Sequence, residues 1–121
     1  MGKLYKRQKK PCKRRRRRMT YKEYRQQCRF KFDPDEFVEE FDLEMIEDFG
    51  WYGPDNPTGV SKDHMLSISY GWKEHIPPAV IRHPANCRLM IFEDNRRKGR
   101  RSSVNYAGLL SRIQTWSEKY K

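Results

Sequence analysis

The sequence predicts an α+β fold built from a disordered basic N-terminal arm, an acidic amphipathic helix, a small two- to three-stranded sheet and a C-terminal amphipathic helix. Three observations predict this fold. Charges are segregated along the 121 residues, two short segments alternate apolar and polar residues, and two longer segments carry apolar residues at helical spacing. Only 36% of the residues are hydrophobic, so we expect a single small core. The predicted parts are the arm over 1–32, the helix over 33–50 and the small domain over 51–121.

The basic arm carries 15 Lys or Arg residues and one acid, a net charge of +14. Charges this dense repel one another and bury nothing, which predicts a largely disordered segment. Exposed clustered cations bind phosphates and also serve as nuclear import signals, so the arm has two compatible roles. The predicted nucleic-acid contacts in the arm are Lys9, Lys10, Lys13, Arg14, Arg15, Arg16, Arg17, Arg18, Arg25 and Arg29.

Aromatic residues are interleaved with the last cations of the arm. Tyr21, Tyr24 and Cys28 share one helical face, whereas residues 29–32 alternate as a short strand would. Aromatic rings beside cations are suited to stacking on unpaired bases. The same rings could instead dock the arm on the core, and the pattern leaves both roles open.

The acidic segment over 33–50 reads DPDEFVEEFDLEMIEDFG and predicts one helix. Asp33 fits the N-cap position, Glu36 completes a capping box, and Gly50 supplies the C-terminal stop. Acids cover the faces that the apolar stripe leaves free. That stripe consists of Phe37, Val38, Phe41, Met45, Ile46 and Phe49.

The acidic helix has three alternative roles: packing on the core, folding back on the basic arm, or recruiting a protein partner. The third role rests on residues 39–51, EEFDLEMIEDFGW, which resemble the acidic activation segment of the herpes simplex virion transactivator. The resemblance implies that apolar side chains enter grooves on the transcription machinery. The partner contacts in that case are Phe37, Phe41, Leu43, Met45, Ile46 and Phe49.

The small domain contains two predicted strands. Residues 64–72 alternate apolar and polar positions, and residues 87–93 are mostly apolar, which favours a central strand. Two strands alone are marginally stable in water. We therefore expect residues 28–32 or 79–82 to add a strand, or a partner to complete the sheet, which makes a homodimer plausible.

The basic run NRRKGRR over 95–101 predicts a loop before the final helix, which Ser102 or Ser103 would cap. Five cations beside a helix N-terminus are suited to phosphate binding, although a solvated turn has the same composition. The predicted contacts are Arg96, Arg97, Lys98, Arg100 and Arg101. The final helix carries its apolar side chains on one face, at Leu109, Leu110, Ile113, Trp116 and Tyr120.

Signatures of catalysis and metal binding are missing from the sequence. It contains no phosphate-binding glycine loop, nucleophile elbow or HExxH motif, so we expect neither an enzyme nor a cofactor. Three widely spaced cysteines predict free thiols in a reducing compartment. His83 and Cys87 form the only close pair of zinc ligands, and Cys28, His64 or His75 would have to complete the site, so no metal is expected.

These features together predict a non-enzymatic nucleic-acid-binding protein of the kind found in viral or ribonucleoprotein particles. Its RNA or DNA contacts should be largely independent of sequence, because no known base-reading motif is present. The alternative is a nuclear regulatory adaptor, viral transactivator-like, in which the arm is an import signal and residues 37–49 recruit host transcription factors. The expected location is the nucleus or nucleolus, a virion, or a ribonucleoprotein particle. No membrane partner is expected, because no apolar run is long enough to span a bilayer.

Overall fold

The computed structural model describes residues 18–121, so positions 1–17 of the predicted arm lie outside the described residues. Within the described residues, six α-helices accompany one two-stranded antiparallel sheet, which confirms the α+β class. The elements are α1 (Tyr21–Gln27), α2 (Leu43–Phe49), β1 (Val60–His64), α3 (Ile68–Lys73), α4 (Pro78–Ile81), β2 (Cys87–Ile91), α5 (Phe92–Lys98) and α6 (Tyr106–Lys119). Short 3₁₀ turns occupy Pro34–Phe37 and Pro84–Asn86. None of the described helices is long and apolar enough to cross a membrane.

The core is a small cluster of buried side chains from α1, the α3–α4 region and α6. Helix α1 enters it through Tyr24, whose hydroxyl donates to the Ile76 carbonyl at 2.8 Å, and burial raises the pKa of this phenol. Residues 18–32, assigned to the basic arm by sequence, therefore belong to the folded body. The cluster consists of Tyr24, Cys28, Leu66, Ile76, Ile81 and Leu109.

The sheet pairs β1 with β2 over five consecutive positions, beginning with Val60 opposite Ile91. Because side chains alternate across a strand, Ser61 and Asp63 project from the same face of the sheet. Helix α5 covers this face, where the Asn95 side chain donates to Ser61 Oγ at 2.9 Å.

The opposite face of the sheet packs against the chain that follows α1. Phe30 stacks on the His64 ring with centroids 4.0 Å apart, and Lys62 donates to the Phe32 carbonyl at 2.8 Å. Residues 28–32 thus contact the sheet through the Phe30 ring and the Phe32 carbonyl, without pairing as a strand. Neither they nor residues 79–82 add a strand, so the described sheet has two strands, the lower number predicted, and completion of the sheet by a partner stays a prediction.

The prediction of a strand over 64–72 is wrong. The strand lies earlier, at Val60–His64, and α3 begins after Ser67, whose hydroxyl accepts the Tyr70 N–H. Gly71 makes the helix possible at this place, because a Cβ there would lie 2.8 Å from the Ile81 side chain. Of the alternating residues, Leu66 is buried ahead of this helix and Tyr70 is 39% exposed, so the alternation does not mark a pleated face.

The prediction of one continuous helix over 33–50 is wrong in its middle. Its ends are confirmed: Asp33 and Glu36 form the capping box, and α2 stops at Gly50 with φ of 70°. Between them the chain forms a 3₁₀ turn and an irregular link before α2. In this interrupted stretch Phe37 and Phe41 pack against Trp116 of α6.

The prediction of a loop over 95–101 is also wrong. Its first part belongs to α5, which carries acids in its first turn and Arg96, Arg97 and Lys98 in its last, as the helix dipole favours. Gly99 ends this helix with φ of 60°. The final helix is capped by Asn105, whose side chain accepts the Gly108 N–H, and not by a serine.

Candidate nucleic-acid interface

The cations of residues 18–32 lie on the surface of the folded body. The exposed ones are Arg18, Lys22, Arg25, Arg29 and Lys31. None of them has a carboxylate partner among the described residues, and Arg25 lies over the Tyr21 ring at 5.8 Å. Because Tyr24 and Cys28 anchor this segment, the cations are held on an ordered surface and remain available to an anion.

The cations of the 95–101 run are mostly engaged by the protein itself. Arg96 pairs with Glu93 at 2.7 Å, and Arg97 pairs with Asp94 at 2.9 Å, one helical turn earlier. The Arg96 guanidinium holds the pKa of the Glu93 carboxyl below its usual range. These exposed pairs contribute little to stability, so a phosphate could displace the acids.

The last two cations of the run differ from each other. Arg101 donates to the Lys98 and Arg97 carbonyls at 3.1 and 3.2 Å, and so caps the C-terminal end of α5. Arg100 has no hydrogen bond or ion pair within the described part of the chain. The run therefore offers one uncommitted guanidinium where the sequence suggested five cations.

Lys98, predicted as a phosphate contact, points into the protein. Its ammonium lies 3.0 Å from Asp63 Oδ1 and donates to the His64 carbonyl at 3.0 Å, while its side chain is 10% exposed. Arg88 approaches the second Asp63 oxygen at 3.3 Å. This buried cluster fixes α5 on the sheet, and Lys98 is not a surface contact.

A cavity of about 350 Å³ brings two of the predicted contacts together. Arg25 of α1 and Arg100 after α5 both line it, although they lie far apart in sequence. The edge of β1 at Lys62 and His64 forms another wall. Burial lowers the pKa of His64, and its Nε2 lies 2.8 Å from the Cys28 carbonyl, which fits a neutral ring donating to that oxygen.

The predicted partner-binding residues of the acidic segment divide into two groups. Phe37 and Phe41 pack edge-on against Trp116 of α6, with ring centroids 4.8 and 6.3 Å apart. Leu43, Met45 and Ile46 are half-buried, and Phe49 is 50% exposed. The packing of these two phenylalanines agrees with the first of the three roles considered for the acidic segment, which is packing against the rest of the fold. Of the six residues, Phe49 is the one most accessible to a partner.

The acidic segment is tied to the C-terminal helix by charge. Lys119 lies 2.6 Å from Glu40 and 3.2 Å from Glu39, and this ammonium holds the pKa of the Glu40 carboxyl below its usual range. No ion pair joins the segment to residues 18–32 in the described chain. Contacts with Lys9, Lys10, Lys13 and Arg14 to Arg17 lie outside the described residues.

The thiols and histidines do not gather into a metal site in residues 18–121, where no three His, Cys, Asp or Glu side chains cluster. Cys28 and Cys87 are buried free thiols, and burial raises their pKa values to about 11 and about 12. His83 is occupied as a cap, since its Nδ1 accepts the Ala85 N–H at 3.0 Å.

Sequence reasoning missed Asp63 and Asn95, which organise the cavity from β1 and α5. Asp63 carried a weak signal, because it is an isolated acid within a short polar stretch that ends near apolar residues. Comparison of the chain with protein-family models, curated proteins and solved structures finds no match. The site is therefore interpreted from its own geometry.

Proposed function

We propose that the chain is a non-enzymatic nucleic-acid-binding protein that holds phosphates largely independently of sequence. One observation carries this proposal: five exposed cations of residues 18–31 have no carboxylate partner among the described residues, although the chain has 16 acids. These cations continue the run of arginines that precedes them in sequence. Arginine forks match phosphate oxygens, and each neutralised phosphate releases condensed counterions.

The fold supports this function by engaging acids of the acidic segment and of α5 with cations outside residues 18–31. Glu39 and Glu40 are engaged by Lys119, and the acids of α5 are engaged by its own arginines. The anchored α1 then presents its cations as an ordered extension of the arm. On this proposal the protein acts within a nucleoprotein particle or the nucleus.

The test measures binding of the full chain to a single-stranded oligonucleotide and to a duplex as a function of salt. We expect affinity to fall by at least about tenfold between about 50 and 200 mM salt, as counterion release requires. Binding that is absent at low salt, or that does not change with salt, would overturn the proposal.

Two matched double variants then locate the interface. Lys22→Gln with Arg29→Gln removes two unpaired cations, and Arg96→Gln with Arg97→Gln removes two that are paired with acids. We expect the first variant to reduce the slope of log affinity against log salt by about 1.4–1.8. A smaller reduction is expected for the second, and equal reductions would contradict the leading part assigned to α1.

A further inference from the structure

The backbone of β1 is bonded to β2 through its odd-numbered residues. The Gly59 carbonyl accepts the Phe92 N–H at 2.8 Å, and the Met65 N–H donates to the Asn86 carbonyl at 2.9 Å. Both pairs fit the register of the sheet. In an antiparallel ladder the alternate residues direct their N–H and carbonyl groups away from the partner strand.

The even-numbered residues of β1 therefore direct their backbone groups to the outer edge. Val60 shows this directly, because its N–H donates to the Gly50 carbonyl at 2.8 Å and its carbonyl accepts the Tyr52 N–H at 2.9 Å. Lys62 and His64 follow the same alternation. Their edge has no neighbouring strand in the described chain.

Helix α5 covers the carbonyls of this edge but not its N–H groups. Lys98 donates to the His64 carbonyl at 3.0 Å, and Asn95 approaches the Lys62 carbonyl at 3.5 Å. The N–H groups of Lys62 and His64 have no acceptor among the described residues. In the described part of the chain, the edge therefore presents two unpaired backbone N–H donors, and an anion binds to groups of this kind.

The same edge forms one wall of the cavity that Arg25 and Arg100 line. These guanidinium groups come from two different elements, and neither has an acid partner in the described part of the molecule. The Ser69 hydroxyl adds a further donor on the cavity wall. Arginine side chains and backbone N–H groups are the donors that proteins use to hold phosphate.

The cavity contains one carboxylate among the described residues, that of Asp63. Its side chain is 3% exposed and is held between Lys98 at 3.0 Å and Arg88 at 3.3 Å. Two cations thus compensate this acid before any ligand enters. Arg25 and Arg100 leave the cavity with an excess of positive charge.

We propose that this cavity seats one phosphate group of the bound nucleic acid, held by Arg25, Arg100 and the N–H groups of Lys62 and His64. The inference rests on the proposed function and specifies where its ordered phosphate contact lies. The volume of about 350 Å³ exceeds what a phosphate alone fills, and it leaves room for the attached sugar. Either a terminal phosphate or an internal phosphodiester supplies this chemistry.

The test follows backbone amide resonances of the full chain during titration with inorganic phosphate and with oligonucleotides. The oligonucleotides have the same sequence, one with a 5′-phosphate and one with a 5′-hydroxyl. We expect the amides of Lys62 and His64 to shift in each phosphate-bearing titration. A larger shift with the 5′-phosphate identifies a terminal phosphate, and equal shifts identify an internal one.

Two pairs of variants provide matched controls. Arg25→Gln and Arg100→Gln remove cavity cations, whereas Lys73→Gln and Lys121→Gln remove exposed cations that do not line the cavity. We expect the cavity variants to weaken phosphate binding about tenfold, because charge-assisted hydrogen bonds are lost. The controls should retain wild-type phosphate affinity within about twofold.

The outcomes separate this inference from the proposed function. If the oligonucleotide binds in a salt-dependent way while the two amides do not shift, the cavity inference is overturned and the proposed function stands. If no oligonucleotide binds, the proposed function fails. If inorganic phosphate shifts the Lys62 and His64 amides and neither oligonucleotide does, the proposal that the cavity holds a phosphate of nucleic acid is overturned.

Discussion

Residues 18–32 and residues 92–101 carry five cations each and differ in what folding does with them. In the first region all five are exposed and none has an acid partner in the described chain. In the second region two form exposed pairs with acids, Lys98 forms a buried pair with Asp63, Arg101 caps α5, and Arg100 remains uncommitted. Basic composition thus measures the charge present, whereas pairing and burial decide how much of it can meet a phosphate.

The largest expected effect is the loss of stability when Lys98, the buried cation of the second region, is replaced. Lys98→Met leaves the Asp63 carboxylate buried with Arg88 as its remaining partner, and we expect a loss of about 3 kcal/mol of stability. Arg97→Ala, on the same helix, breaks an exposed pair and should cost less than about 1 kcal/mol. Urea denaturation measures both, and similar losses would contradict a distinct structural role for Lys98.

The next prediction concerns the contact between α1 and α3 that anchors the first region. A Cβ at position 71 would lie 2.8 Å from the Ile81 side chain and would collide with the Tyr24 hydroxyl, so α1 must shift away from α3. We expect Gly71→Ala to cost about 1–3 kcal/mol of stability in thermal denaturation. Gly53→Ala is the control, because a methyl group at that position would have no atom within 4 Å. A stable Gly71→Ala protein would show that α1 is not held at this contact.

A third prediction makes the second region resemble the first by removing the acids that pair with its arginines. Glu93→Gln with Asp94→Asn frees Arg96 and Arg97 without changing the number of cations. We expect tighter nucleic-acid binding and a salt slope that is steeper by roughly 1.4–1.8 if both arginines then contact phosphates. Salt titrations of binding measure this gain. The double variant Glu47→Gln with Asp48→Asn changes net charge equally in the acidic segment and is the control; an equal gain there would indicate a net-charge effect.

The smallest expected effect concerns pH. Burial lowers the pKa of His64 from its ordinary 6.5, so the unfolded chain takes up this proton first as the pH falls. The corresponding stability is present above about pH 6.5 and is lost as the pH drops through the folded-state pKa. We expect His64→Gln to reduce the dependence of thermal stability on pH below 6.5, and the part that arises from His83, whose pKa burial also lowers, to remain. An unchanged profile in His64→Gln would contradict a buried neutral ring.

The acidic segment shows how far local sequence signals reach. Its capping residues Asp33 and Glu36 and its stop at Gly50 were predicted correctly, because caps depend on neighbours three or four residues away. The break in the helix between these two ends was not predicted. It depends on contacts of Phe37 and Phe41 with Trp116, which lies far away in the sequence. The sheet shows the same limit. Strand β2 is apolar and was recognised, whereas β1 is largely polar and was not.

The sequence by itself determined the α+β class, the segregation of charge, the caps of the acidic segment and the side of the final helix that carries Leu109, Ile113 and Trp116, since each follows from composition or from spacing within a few residues. Only the tertiary structure decided where β1 lies, because α5 must satisfy the polar side chains of Ser61 and Asp63. It also decided which cations stay free, and it brought Arg25 and Arg100 to one cavity. The physical reason is that pairing and desolvation depend on residues distant in sequence, which no local pattern records.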